Sequence, residues 1–141
     1  MKNMLCCEII KGKGAVALLL LRLVSGYAFI LHGWPKFLHA TIWAGDSFPA
    51  WLQALAAFAE FAGGMAILVG LLTPLAALGI AIVMCVAMFR VHIPKGDPFV
   101  GNMEHPGSWE LAAVYLAIMV TFILRGAGSF SLDALIFKKK D

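Results

Sequence analysis

The sequence predicts an all-α integral membrane protein: one domain, residues 1–141, forming a bundle of four transmembrane helices with N- and C-termini cytoplasmic and an interfacial outer loop after helix one. Three observations lead there. Of the 141 residues, 62% are hydrophobic and 13% are charged, against roughly 45–50% and about 25% in soluble domains. The apolar residues gather into four runs, each near the ~20 residues that cross a hydrocarbon core as a helix. Lysine and arginine fall on one side when those runs are threaded alternately. The composition excludes a soluble globular protein, a disordered chain and a nucleic-acid binder working through a broad basic surface.

The helices are expected at about 15–33, 51–72, 74–91 and 108–125, with a short surface helix at about 132–137. Backbone polar groups in lipid must pair within their own segment, so the runs are helices rather than strands. The first run competes with a signal peptide, for which Lys2, Lys11 and Lys13 would be the positive end. Arg22 interrupts it and no small-x-small cleavage site follows, so it is read as a retained helix. Thr73-Pro74 is the only break between the second and third runs. Threonine suits an N-cap and proline the first helical position, which makes these helices an antiparallel pair. Ser108 is the expected cap of the fourth helix, Gly126 and Gly128 its end, and Ser131 the cap of the short helix.

The N-terminal tail holds Lys2, Lys11 and Lys13, and the C-terminal end holds Arg125, Lys138, Lys139 and Lys140. The longer loops hold Lys36 and Lys95, with Arg90 near a helix end. Both termini therefore face the cytoplasm. All the tryptophans (Trp34, Trp43, Trp51, Trp109) and all the histidines (His32, His39, His92, His105) then fall on the outer side. The stretch from Gly33 to Pro49 is too apolar for a free loop. It is expected to lie in the interface or to dip into the bundle.

Two charges sit inside the apolar runs. Arg22 lies roughly 12 Å in from the cytoplasmic start of helix one, and Glu60 roughly 14 Å in from the outer start of helix two. An isolated charge at the centre costs at least about 2.5–3.5 kcal/mol, so Arg22 and Glu60 are expected to pair as a buried midplane ion pair. The pair is either a structural lock on helix register or a functional group. Small residues four apart (Ala59 and Gly63, Ala62 and Ala66, Ala66 and Gly70, Ala77 and Ala81) mark packing seams within the chain, with a homo-oligomer left open.

A second polar set gathers at the outer ends: His32, Lys36, Arg90, His92 and Glu110, with Asp97, Glu104 and His105 in the loop. Glu110 also serves the positive end of a helix dipole, and Arg90 and His92 also suit snorkelling anchors. Together the set outlines an outer polar pocket for a small anion or a quinone headgroup. No HxH, HExxH or HxxxH spacing appears, so no metal is expected. Cys6, Cys7 and Cys85 form no disulfide framework and no CxxC pair.

The run Leu20-Leu21-Arg22-Leu23-Val24-Ser25-Gly26, followed by His32-Gly33-Trp34-Pro35-Lys36-Phe37, resembles the opening of DoxX-family membrane proteins. Glu60-Phe61-Ala62-Gly63-Gly64 with Leu68-Val69-Gly70-Leu71-Leu72-Thr73-Pro74 resembles that family's second helix and turn. Gly126-Ala127-Gly128-Ser129-Phe130-Ser131-Leu132-Asp133 resembles its closing motif. The resemblance covers roughly Ala15 to Ile136. It implies a four-helix protein of the bacterial inner membrane tied to redox metabolism, with Arg22, His32, Lys36, Glu60 and Asp133 as the positions to carry over. The expected role is a small subunit supporting quinone-coupled electron transfer with a partner redox enzyme in the lipid bilayer, with quinone as cofactor. A membrane scaffold or assembly factor and a small anion transporter are the alternatives.

Overall fold

The computed structural model describes residues 10–137. Lys2, Cys6, Cys7 and Lys138 to Lys140 lie outside the described residues. Regular structure among the described residues is entirely helical. Helix α1 spans Lys13–Leu38, α2 Ala50–Val69, α3 Thr73–Val86 and α4 Glu110–Arg125. A short α5 spans Leu132–Ile136, a 3-10 turn Gly45–Ser47, and a π-helical turn Ala87–His92 prolongs α3. Among the described residues, three segments are long and apolar enough to cross a membrane: Lys13–Leu38, Ala50–Val69 and Thr73–His92. Helix α4 has 16 residues, about 24 Å at 1.5 Å per residue.

Neighbours in sequence are neighbours in space, α1 on α2, α2 on α3 and α3 on α4. The starts of α1 and α3 and the ends of α2 and α4 share one end of the bundle, here the terminal end. The other is the loop end. The core is filled by Leu18, Phe29, Ile67, Ile80, Met84, Met119 and Phe122. Large apolar side chains such as Leu20, Val24, Leu55, Leu75 and Leu124 point outward, as a lipid solvent requires.

Glycine sets the spacing of α1 and α2. A Cβ on Gly33 would lie 2.5 Å from Phe61 N, one on Gly26 2.8 Å from Leu68 N, and one on Gly64 2.8 Å from Ile30 N. Gly63 faces the other way, where a Cβ would meet Ile80 of α3 at 3.2 Å. The adjacent glycines therefore serve different seams, and backbone contact replaces a hydrophobic driving force that lipid does not supply.

Several helix ends differ from the sequence expectation. Helix α1 does not stop near residue 33; it continues through Pro35 to Leu38. Proline there forfeits its N–H bond and crowds the Leu31 carbonyl, but it stands within a turn of the helix end, and Gly33 lets the last turns lie against α2. Helix α2 stops at Val69, with Gly70 at φ 71° as its left-handed C-cap. Leu71 N donates to Ala66 O at 2.9 Å and Gly70 N to Ile67 O at 3.1 Å, the Schellman pattern. Thr73 is not the cap of α3; Leu72, at φ 47°, holds that position and Pro74 follows in the first turn. Ser108 does not cap α4, whose N-cap is Trp109 without a side-chain bond. Ser131 does cap α5, its Oγ accepting from Ala134 N at 3.1 Å.

Candidate functional site

Arg22 is buried on α1 at the terminal end. Its guanidinium donates to four carbonyls: Nε to Ile67 O at 2.9 Å, Nη2 to Leu68 O at 2.9 Å, and Nη1 to Phe130 O at 2.6 Å and Ala127 O at 3.2 Å. Two of these belong to the last turn of α2, whose carbonyls have no partner within the helix and form the negative end of its dipole. The other two lie in the segment after α4. The fork geometry of arginine suits such divergent acceptors. No space remains at Gly70, where a Cβ would sit 2.7 Å from Arg22 Cζ.

Asp133 completes this end. Its Oδ1 accepts from Leu72 N at 2.6 Å and its Oδ2 from Thr73 N at 2.9 Å, while Asp133 N donates to Gly70 O at 2.8 Å. A carboxylate reaching from α5 thus caps α3, in the place expected for the Thr73 hydroxyl. Thr73 Oγ1 is left buried without a hydrogen-bond partner among the described residues.

Glu60 lies midway along α2, and the expected Arg22–Glu60 ion pair does not form. Glu60 is 2% exposed and takes Lys36 instead, with Nζ at 2.7 Å from Oε1 and 2.6 Å from Oε2. The reason is register. Arg22 is level with Ile67 and Leu68, seven residues past Glu60, or about 10 Å along α2. The extension of α1 to Leu38 carries Lys36 inward to meet the carboxylate. Burial of both interior charges follows the sequence reading; the partners do not.

The Lys36–Glu60 pair has a roof. Lys36 Nζ lies 4.7 Å from the centre of the Trp43 ring, a cation–π distance. Trp43 Nε1 donates to Gln53 O at 3.0 Å. The Gln53 side chain, itself buried, accepts from Ala44 N at 2.8 Å and donates to Gly45 O at 2.7 Å and Phe48 O at 2.8 Å. Residues 39–49 are thereby strapped over the ends of α1 and α2. On α2 beside Glu60, Phe61 packs against two aromatic rings of α1, 5.3 Å from Trp34 and 5.0 Å from Phe37 between ring centres. Gln53 was not singled out from the sequence, although it stands seven residues before Glu60 and so on the same helical face.

The residues of the expected outer pocket are spread over this end. Lys36 belongs to the pair just described. His92 Nδ1 lies 2.7 Å from Asp97 Oδ2, on the π-helical turn that closes when Ile93 N donates to Met88 O at 3.0 Å. Gly107 admits the Asp97 carboxylate, since a Cβ there would lie 2.7 Å from Oδ1. His32, Arg90 and Glu110 are exposed. Glu110 stands in the first turn of α4. No hydrogen bond or ion pair joins any two of His32, Lys36, Arg90, His92 and Glu110.

Comparison with known proteins places this geometry in context. The sequence model of the DoxX family matches residues 17–93, which hold Arg22, Lys36, Glu60 and the α2–α3 turn. An "Uncharacterized protein" of Haemophilus influenzae is 34% identical over 128 residues, covering 84% of this chain and 90% of its own length. "Putative oxidoreductase CatD" of Bacillus subtilis is 30% identical over 129 residues, covering 89% of this chain and 90% of its own. No solved structure matches.

Proposed function

The chain belongs to the DoxX family of membrane proteins, and from that premise we propose that it is a small redox subunit of the bacterial inner membrane, coupling a partner enzyme to the quinone pool through the Lys36–Glu60 pair. Helix α4 is the fourth crossing and both termini are cytoplasmic. The observation that carries the reading is a carboxylate 2% exposed, held by a lysine 28% exposed, under an aromatic roof at the loop end. A buried ion pair is often no more stabilising than apolar residues of the same volume, and ionisable groups inside a membrane mark functional sites by default. The name of the Bacillus subtilis relative, an oxidoreductase, agrees with a redox role.

The residues present suit a quinone headgroup. Lys36 directs two donor contacts at Glu60, and an ammonium has three donors, so one remains for a carbonyl oxygen. Trp43, Trp34 and Phe61 offer flat apolar faces. A bound quinone would supply the electron and proton couple. Lys36 would orient a headgroup oxygen and Glu60 would hold the ammonium in place. The test is to purify the protein in mild detergent, extract its lipid-soluble contents and titrate quinone while following Trp fluorescence. Wild type is expected to carry quinone and to be quenched on titration, whereas a folded Lys36→Met variant is expected to do neither. A wild type with no quinone and no quinone-dependent fluorescence change overturns the proposal.

A second reading, a non-catalytic membrane scaffold, is favoured by one observation. The Arg22 guanidinium is engaged by four backbone carbonyls. Lys36→Met with Glu60→Gln separates the two. A scaffold retains activity of its partner enzyme in the double variant, and a quinone-coupling subunit loses it.

A further inference from the structure

The first turn of α3 is shaped to hold an oxyanion. Leu72, at φ 47°, is the one non-glycine residue at positive φ among the described residues, and it stands directly before the helix. A left-handed residue leading into a helical turn makes successive N–H groups converge, the concave arrangement that binds anions. The positive end of the helix dipole adds to it. The groove holds a carboxylate of the same chain: Asp133 Oδ1 accepts from Leu72 N at 2.6 Å and Oδ2 from Thr73 N at 2.9 Å.

That carboxylate does not use all that the turn offers. Thr73 is 0% exposed, and its Oγ1 has no hydrogen-bond partner among the described residues. A buried hydroxyl without a partner is a standing cost, and a tetrahedral oxyanion brings more acceptor oxygens than the two of a carboxylate. Arg22 and Asp133 meet at Gly70. A Cβ on Gly70 would lie 2.7 Å from Arg22 Cζ, and Gly70 O accepts from Asp133 N at 2.8 Å. Positive charge therefore stands beside the turn, with one Arg22 Nη1 donor committed to Phe130 O at 2.6 Å.

The segment that brings Asp133 is held by polar contacts. Gly128 still packs on α1, where a Cβ would meet Leu18 Cδ1 at 3.2 Å. Beyond it Phe130, Leu132, Leu135, Ile136 and Phe137 are all exposed. Attachment there consists of Ser129 N on Ile10 O, Arg22 on Phe130 O, Asp133 N on Gly70 O and the Asp133 carboxylate on α3. A segment with little buried apolar surface opens locally at a fraction of the global cost.

We propose that Leu72 N, Thr73 N and Thr73 Oγ1, with Arg22 as the neighbouring charge, form a binding site for a small oxyanion, and that Asp133 is its built-in competitor. An arriving anion displaces residues 129–137, takes the two amides and the Thr73 hydroxyl, and frees the Arg22 donor held by Phe130 O. The ligand is a sulfate- or phosphate-type group, supplied by a free anion or by a lipid headgroup.

The experiment follows amide hydrogen exchange of the full chain in two settings. One is neutral detergent, with sulfate replacing chloride at constant ionic strength. The other is phosphatidylcholine nanodiscs with and without phosphatidylglycerol. Sulfate in general tightens folded proteins, so a local loosening has the opposite sign. In wild type, exchange at Ser129 and Asp133 is expected to rise by about tenfold or more at saturating anion, while Leu72 and Thr73 stay protected by the new occupant. A rise with sulfate assigns the site to a free anion, and a rise with phosphatidylglycerol alone assigns it to a headgroup. Thr73→Val is expected to keep the thermal midpoint of wild type, because its hydroxyl has no partner to lose, and to need about tenfold more anion for the same response. No rise with either anion overturns the proposal, as does a Thr73→Val protein that responds like wild type or unfolds at a lower temperature. A rise that includes Leu72 and Thr73 reports fraying of the turn rather than its occupation and overturns it too.

Discussion

Lys36 and Glu60 face each other across the α1–α2 seam, the ammonium lying 2.6 and 2.7 Å from the two carboxylate oxygens. The two sides are unequal, because Glu60 is 2% exposed and Lys36 28% exposed. Lys36→Met strands a carboxylate with no water to receive it, and breaking a buried pair in that way costs about 3–5 kcal/mol. Glu60→Gln leaves an ammonium that can still reach solvent, so its cost is expected to be smaller. Lys36→Met with Glu60→Gln is expected to regain most of the loss, because no unpaired charge remains. Thermal unfolding in detergent of the two single variants and the double variant checks the order.

Arg22 is not replaceable by lysine. Its four carbonyl acceptors lie on two segments, and an ammonium on a shorter reach serves one or two of them. Each buried carbonyl left without a donor costs about 1–3 kcal/mol. Arg22→Lys is therefore expected to lose about 3 kcal/mol or more, seen as a lower midpoint in the same unfolding assay, although the charge is conserved.

Gly33 and Gly79 provide a matched contrast. A methyl group on Gly33 would lie 2.5 Å from Phe61 N, whereas one on Gly79 would lie 3.7 Å from Ala59 Cβ. Backbone cannot yield as a side-chain tip can, so Gly33→Ala is expected to cost about 3 kcal/mol, the upper range for overpacking. Gly79→Ala is expected to be neutral or to gain up to about 1 kcal/mol from reduced chain entropy. A Gly33→Ala protein as stable as wild type would contradict the close packing of α1 on α2.

Asp133 accepts from two adjacent amides, Leu72 N and Thr73 N. An asparagine there has one acceptor oxygen and turns an NH2 toward the second amide. Asp133→Asn is expected to raise amide hydrogen exchange at Leu72 and Thr73 by about tenfold or more, corresponding to about 1.4 kcal/mol of local stability. Exchange near Gln53 at the other end is expected to stay unchanged.

The helices were legible because lipid imposes long apolar runs, and Ser131 was legible as a cap because its local pattern is self-contained. The pairing of the interior charges was not. It rested on depth counted from helix ends, and Gly33-Trp34-Pro35 has the composition of an end. In the structure Gly33 is a contact with Phe61 rather than a stop, and α1 runs on to Leu38. The two helices are also not flush at the terminal end: Arg22 stands nine residues past the start of α1 yet level with Ile67, two residues from the end of α2, so depths counted from the two ends share no common zero. The role of Arg22 was hidden for a different reason. Its acceptors are backbone carbonyls, which every sequence has and none advertises. Asp133 was visible only through its place in the closing motif, since a cap donated from a different helix leaves no local spacing to read.

Gln53 has one further consequence. Its amide accepts one hydrogen bond from Ala44 N and donates two, to Gly45 O and Phe48 O, so a single side chain stands in for the neighbouring strand or helical turn that these backbone groups lack. Non-helical chain is tolerated at membrane depth only where its polar groups are satisfied by protein. A glutamine anchored on α2 thus supplies the partners that Ala44, Gly45 and Phe48 would otherwise lack, and fixes the loop that carries Trp43 onto Lys36.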